Sequence, residues 1–163
     1  MWAVRAVLGL LVAFGLSACD PKFRTYVGPE VTSVQIDKSD RKMYILNGNQ
    51  ALAVYDIALG FAPVGPKHFE GDGKTPEGLY YITHKNPNSN YHLSLGISYP
   101  NTADRAYASA AGQATGGDIF IHGGPRYRTT VADWTAGCIS VTDLEMEAVY
   151  AMVAPGTPIY ILP

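Results

Sequence analysis

Along most of the chain, hydrophobic and polar residues alternate in short runs with the period of two that marks a half-buried strand. In residues 31–37, Val34 and Ile36 fall on one side, and Met43 and Ile45 repeat that spacing ahead of Asn47-Gly48, the dipeptide most typical of a type I′ hairpin turn. A return strand over 50–59 follows, so the domain is expected to open with a hairpin. Further strands are predicted at 79–83, 93–97, 118–122, 138–141 and 158–162, each bounded by Gly, Pro or Asn, the pattern of an all-β sandwich or barrel. Two segments break this period. Residues 102–111 are rich in alanine, begin after Asn101 and stop at Gly112, which predicts a helix. Thr142 and Glu145 form a capping box, after which Leu144, Ala148, Val149 and Met152 share one helical face until Pro155-Gly156 ends it.

The first twenty residues follow a different rule. Arg5 precedes an uncharged apolar run over 6–16, too short for a bilayer that needs about 20 apolar residues. It has the size of a secretory h-region and leads into small residues, so residues 1–18 read as a removed signal peptide. Leu16-Ser17-Ala18-Cys19 resembles a bacterial lipobox, in which the cysteine is acylated and becomes the new N-terminus. The alternative is an ordinary signal peptide with an incidental Cys19. Residues 19–30 then form a tether reaching at most about 35 Å, and 31–163 form the folded domain. The expected location is the periplasm, with the protein a membrane-anchored lipoprotein.

Export changes how the cysteines are read. The chain has two, and lipid on Cys19 leaves Cys138 without a disulfide partner in a compartment that favours disulfides. A leftover cysteine is then a reactive thiol, an intermolecular bridge or a buried inert residue. The remaining composition narrows the classes. A formal charge of −2 without a basic run gives no sign of nucleic-acid binding. About 144 residues after processing suffice for one domain, burying about 70% of its unfolded surface. There is no repeat or low-complexity stretch, and a monomer is expected.

The surroundings of Cys138 point to chemistry. Asp118-Ile119-Phe120-Ile121-His122-Gly123-Gly124 reads as a buried strand ending in a histidine and two glycines, and Thr135-Ala136-Gly137-Cys138-Ile139 follows, with Cys138 16 residues after the histidine. With an ordinary pKa near 8.5, about 3% of a free cysteine is thiolate at pH 7. A neighbouring imidazole raises that fraction and can take the proton directly. Glycines beside both residues allow close approach of backbone to substrate, and amides near Gly137 and Cys138 could bind a developing oxyanion.

The run from Ile121-His122-Gly123 to Thr135-Ala136-Gly137-Cys138-Ile139 resembles the signature of the L,D-transpeptidase (YkuD-type) catalytic domain: His-Gly, then Ser/Thr-x-Gly-Cys some fifteen to twenty residues on. Gly73-Lys74-Thr75-Pro76-Glu77-Gly78 is similar to that family's Thr-Pro-x-Gly turn, and the likeness spans roughly 31–162. The resemblance implies a mainly β fold, the YkuD-like β-sandwich, with two short peripheral helices. It implies Cys138 as nucleophile, His122 as general base and the Gly123 carbonyl as the group orienting the imidazole. It places the oxyanion at the amides of Ala136, Gly137 and Cys138. The implied substrate is a peptidoglycan stem peptide, reached through a thioester intermediate, with no metal and no cofactor implied. The implied roles are cell-wall biogenesis and cell shape.

Two positions depart from the family pattern. Many members carry His at Ala136 and Arg or Asn at Ser140, whereas both are small here. That leaves acceptor choice open and is similar to the branch of peptidoglycan amidases that cleave attached lipoprotein. Arg126 and Arg128 could anchor a substrate carboxylate instead, or stand as solvated loop charges. Tyr127, Trp134, Thr135, Ser140 and His92 are further candidates for the substrate cleft, with packing under the loop the competing role for Trp134. Three functions are weighed: a transpeptidase, a hydrolase (carboxypeptidase or amidase) using the same thioester, and a catalytically silent wall-binding lipoprotein. Gly73-Lys74-Thr75 is not a P-loop, because position 68 is His and Pro76 disturbs the helix start. His68, His84 and His92 lack zinc-ligand spacing.

Overall fold

A computed structural model describes residues 22–125 and 132–163. Eight strands and two helices follow in the order β1 (Ser33–Asp37), β2 (Lys42–Asn47), β3 (Gln50–Asp56), β4 (Gly78–Asn86), β5 (Ser94–Ile97), α1 (Thr102–Ala110), β6 (Phe120–His122), β7 (Ile139–Ser140), α2 (Asp143–Met152) and β8 (Pro158–Leu162). The domain is mainly β, as the alternating pattern requires. Its strands run in one order, β3-β2-β1-β8-β4-β5-β6-β7. Only the β1–β8 and β6–β7 pairs are parallel.

The nine-residue β4 is where this sheet turns over. Its first half pairs with β8, its second half with β5, and the register shifts between Ile82 and Lys85. At the far side, Ala58 bridges to Ser140 and Gly60 to Thr135, so the chain leaving β3 reaches the edge formed by β7. The two halves therefore enclose one core, with Val34, Ile36, Met43, Ile45 and Ile159 from one and Leu95, Ile121 and Ile139 from the other, all fully buried. Burial of each such side chain contributes about 1.5–3 kcal/mol. Helix α2 closes the β5–β6 end through Met146 and Val149.

Several expectations shift on contact with the structure. The hairpin turn lies at Gly48-Asn49, one residue later than Asn47-Gly48, with Asn47 paired to Gln50. Only Gly48 of the central pair has positive φ (54°), whereas type I′ needs both. Strand 118–122 is cut to Phe120–His122 because Asp118 sits in the left-handed region at φ 54°, which breaks an extended run. The return strand ends at Asp56 and continues only as the isolated bridges at Ala58 and Gly60.

The apolar face of α2 is also different. Met146, Val149 and Val153 are buried, while Leu144 is exposed. Met146 lies between Glu145 and Glu147, which hid it from a count of apolar neighbours. Glu147 is itself buried and takes Arg24 and His92 as partners. Arg24 belongs to the expected tether, so this part of it lies against the domain, and Lys22 donates to the Pro87 carbonyl at 2.9 Å. The expected signal peptide and Cys19 lie outside the described residues. Among the described residues no helix is long and apolar enough to cross a membrane.

Candidate active site

Register explains why an imidazole and a thiol distant in sequence meet. Strands β6 and β7 run parallel with Ile121 opposite Ile139 and His122 opposite Ser140. Both isoleucines face the core at zero exposure. Alternation therefore turns His122 and the residue just before β7, Cys138, to the other face, on strands about 4.8 Å apart. They line one cleft of about 280 Å³ together with Asn86, Ser89, Asn90, Tyr91, Ser94, Asp118 and Phe120.

His122 is held on three sides. Its Nδ1 lies 2.6 Å from the Gly123 carbonyl, which can only accept, so Nδ1 carries the proton and Nε2 presents a lone pair when the ring is neutral. Tyr91 stacks on the ring with centroids 4.6 Å apart, and Trp134 meets it edge-on at 5.6 Å. Burial pushes the imidazole below its ordinary pKa, opposed by the hydrogen bond to Gly123.

The thiol is shifted the other way. Burial pushes Cys138 up, opposed by the Phe120 backbone amide; the Asp118 charge adds to the rise and the Lys67 charge opposes it. Proximity to an imidazole was expected to raise the thiolate fraction. Desolvation acts against that expectation and pushes the thiol the other way. The thiol donates to the Asp118 carbonyl at 3.5 Å rather than to His122. Both shifts favour the neutral thiol and the neutral imidazole over the ion pair. Cys138 also lines a second cavity of about 300 Å³ on its other side, with Lys67, Glu70, Gly116, Asp118 and Ala136.

The turn bearing Cys138 depends on Thr135 and Gly137. The Thr135 hydroxyl donates to the Cys138 carbonyl at 2.7 Å and accepts from the Gly137 amide at 3.1 Å. Gly137 has φ 136°, and a Cβ there would lie 2.6 Å from the Lys74 carbonyl oxygen, so glycine is needed for both reasons. This arrangement alters the expected oxyanion donors. The Gly137 amide is already engaged by Thr135, whereas the amides of Ala136 and Cys138 have no partner among the described residues.

The remaining candidates divide. Thr135 is buried within the turn. Ser140 and Trp134 line a separate cavity of about 390 Å³ beside Gly124 and Thr142. His92 turns away to Glu147, its Nε2 2.8 Å from Oε1. Arg126, Tyr127 and Arg128 lie outside the described residues. Sequence reasoning did not single out Tyr91, although its neighbour His92 was a candidate for the cleft. Asp118, which lines the cleft, was placed only in the predicted strand 118–122.

Comparison with known proteins agrees with this architecture. The family model described as L,D-transpeptidase catalytic domain (YkuD) matches residues 32–161. YafK of Escherichia coli (strain K12), itself only provisionally named an L,D-transpeptidase, is 30% identical over 127 residues, covering 74% of this chain and 46% of that protein. The helical cell shape determining protein Pgp2 from Campylobacter jejuni aligns with a TM-score of 0.63 at 26% identity, over 83% of this chain and 49% of that one. An L,D-transpeptidase from Mycobacterium smegmatis aligns at 0.56 and 16% identity, over 83% and 60%, a likeness of fold alone. The chain spans about half the length of the curated relatives it matches.

Proposed function

The chain belongs to the YkuD family of L,D-transpeptidase catalytic domains, and from that premise we propose that it is a cysteine-dependent L,D-transpeptidase acting on peptidoglycan stem peptides through a thioester on Cys138. The observation that carries the reading is the shared cleft of Cys138 and His122, with Nδ1 of the imidazole fixed on Gly123 and Nε2 free to accept a proton.

The reaction follows from these atoms. The thiol hydrogen turns from the Asp118 carbonyl toward His122 Nε2, which takes the proton as the sulfur attacks the carbonyl of the L-centre of diaminopimelate. Negative charge develops on that oxygen and is met by the amides of Ala136 and Cys138. Collapse of the tetrahedral intermediate breaks the amide bond, and the departing D-alanine amine takes the proton from His122. An acceptor amine then attacks the thioester, returns a proton through Nε2 and releases the thiol, leaving a 3→3 crosslink. Proton transfer by a positioned base of this kind contributes about 10²–10⁴-fold. Water in place of the amine would give hydrolysis from the same intermediate. Residues 1–19 would deliver the domain to the periplasm and anchor it by lipid on Cys19.

Incubation of the protein with defined tetrapeptide muropeptides, with products resolved by mass, tests this. Crosslinked dimers are expected from the wild type and none from Cys138→Ala or His122→Ala. Trimmed monomers without dimers would turn the reading to hydrolysis, and dimer formation by Cys138→Ala would overturn it.

A further inference from the structure

One trans peptide unit beside the site has both polar ends engaged on opposite sides. The Gly123 carbonyl accepts from His122 Nδ1 at 2.6 Å, and the Gly124 amide, the other end of the same unit, donates to Asp143 Oδ1 at 2.8 Å. We infer that Asp143 is a third member of the site, a positioning residue that holds the base His122 through the Gly123–Gly124 peptide. The inference deepens the roles proposed above for Cys138 and His122 and rests on them.

Three observations carry it. First, two successive glycines, with Gly124 at φ 100°, form a peptide that can rotate, and the unit needs something rigid to hold its carbonyl toward the ring. Asp143 supplies that from the first turn of α2, where the capping box of Thr142 and Glu145 already satisfies the helix start. Its carboxylate is therefore not required as a cap. Second, a Cβ at Gly123 would fall 2.5 Å from Asp143 Oδ1, so the carboxylate fills the space that any larger residue would need. Third, the Val141 amide donates to the His122 carbonyl at 3.0 Å, tying the segment that leads into α2 to the end of β6. Helix, peptide and imidazole thus move as one unit.

The chemistry resembles a base oriented by a carboxylate, with a peptide group inserted between them. A carboxylate on the amide hydrogen polarises the peptide and strengthens the bond its carbonyl makes, by about 10–30% in a hydrogen-bonded chain. The result is a fixed tautomer: Nδ1 protonated, Nε2 open to the thiol. Asp143 does not line the cleft of Cys138 and His122, and it acts only through Gly123.

The test compares wild-type protein with Asp143→Ala and Asp143→Asn, reading the ring nitrogens of His122 by ¹⁵N NMR and turnover on muropeptides. In the wild type the ring is expected to be a single Nδ1–H tautomer. Asp143→Ala should give mixed tautomers and lower kcat about tenfold with KM little changed, the size of one lost charge-assisted hydrogen bond. Asp143→Asn keeps an oxygen for the Gly124 amide and should recover the single tautomer and most of kcat. Should Asp143→Ala unfold, Asp143→Ser, whose hydroxyl is too short to reach Gly124, takes its place under the same criteria. A single Nδ1–H tautomer and wild-type kcat in the alanine variant, or an asparagine variant as impaired as alanine, would overturn the inference. The tautomer reading needs no turnover. Activity that survives in Cys138→Ala would refute the proposed nucleophile and leave the tautomer to decide the role of Asp143.

Discussion

Replacing Glu147 by Ala removes a carboxylate whose residue is 7% exposed and which receives Arg24 Nε and Nη2 at Oε2, both at 2.9 Å, and His92 Nε2 at Oε1, at 2.8 Å. Two contributions set the cost. Losing one buried methylene removes about 0.8 kcal/mol of apolar burial. Losing the ionic hydrogen bonds costs less than the ~1.5–3 kcal/mol of a fully buried one, because the Arg24 side chain is 38% exposed and returns to water. Together these give about 2 kcal/mol, or roughly 5–10 °C in Tm for a domain of this size. Glu147→Gln retains the methylenes and one acceptor and should lose about 1 kcal/mol. Function should suffer with it. His92 is held at φ 68° next to Tyr91, the residue stacked on His122, and releasing it frees that loop to relax. Urea unfolding followed by circular dichroism measures the first effect, and muropeptide turnover the second. An alanine variant within about 0.5 kcal/mol of wild type, the range of ordinary surface substitutions, would refute the reasoning.

Thr135→Val keeps the shape of a buried side chain but leaves the Gly137 amide and the Cys138 carbonyl without the hydroxyl that joins them. A loss of about 1–3 kcal/mol and a fall in turnover are expected from thermal unfolding and rate measurements; an unchanged Tm would count against this account of the turn. Stability should also vary with pH in a defined way. His122 is lowered from 6.5, so just below that value the unfolded chain binds more protons and stability falls as pH falls through the folded pKa. Cys138 is raised from 9.0, so above that value the unfolded chain releases its proton first and stability falls as pH rises. Urea midpoints should flatten on the acid side in His122→Gln and on the alkaline side in Cys138→Ser; slopes identical to wild type would contradict these shifts.

The strands were legible because the alternation in β1, β2 and β8, and the Gly, Pro and Asn that bound the others, are local properties of each segment. So was α2, since its capping box lies within four residues. What the sequence hid depended on distant partners. Leu144 looked like the apolar face of α2, but the buried face includes Glu147, whose charge is tolerated only because Arg24, 123 residues away, arrives to meet it. The hairpin turn moved by one residue because the register is set by β3, where Leu46 pairs with Ala51 but Ile45 with Ala53. In the site, a histidine and a cysteine each beside glycines could be named from their neighbours. Tyr91 and Asp143 could not, since their meaning lies in the stacking against one ring and the holding of one peptide.

The direction of the two pKa shifts bears on how the proposed chemistry must proceed. A thiol raised and an imidazole lowered make the resting ion pair unfavourable, so proton transfer from sulfur to Nε2 in the empty cleft runs uphill. The same burial that causes this removes competing water from the attacked carbonyl. Once a substrate carbonyl reaches the sulfur, the developing oxyanion near the Ala136 and Cys138 amides and the imidazolium beside it appear together, and each stabilises the other in a medium of low dielectric. Proton transfer and attack are then favourable only in concert. A nucleophile of the proposed kind would be quiet toward small electrophiles that form no oxyanion, its reactivity conferred by the substrate that fills the cleft rather than by a standing thiolate.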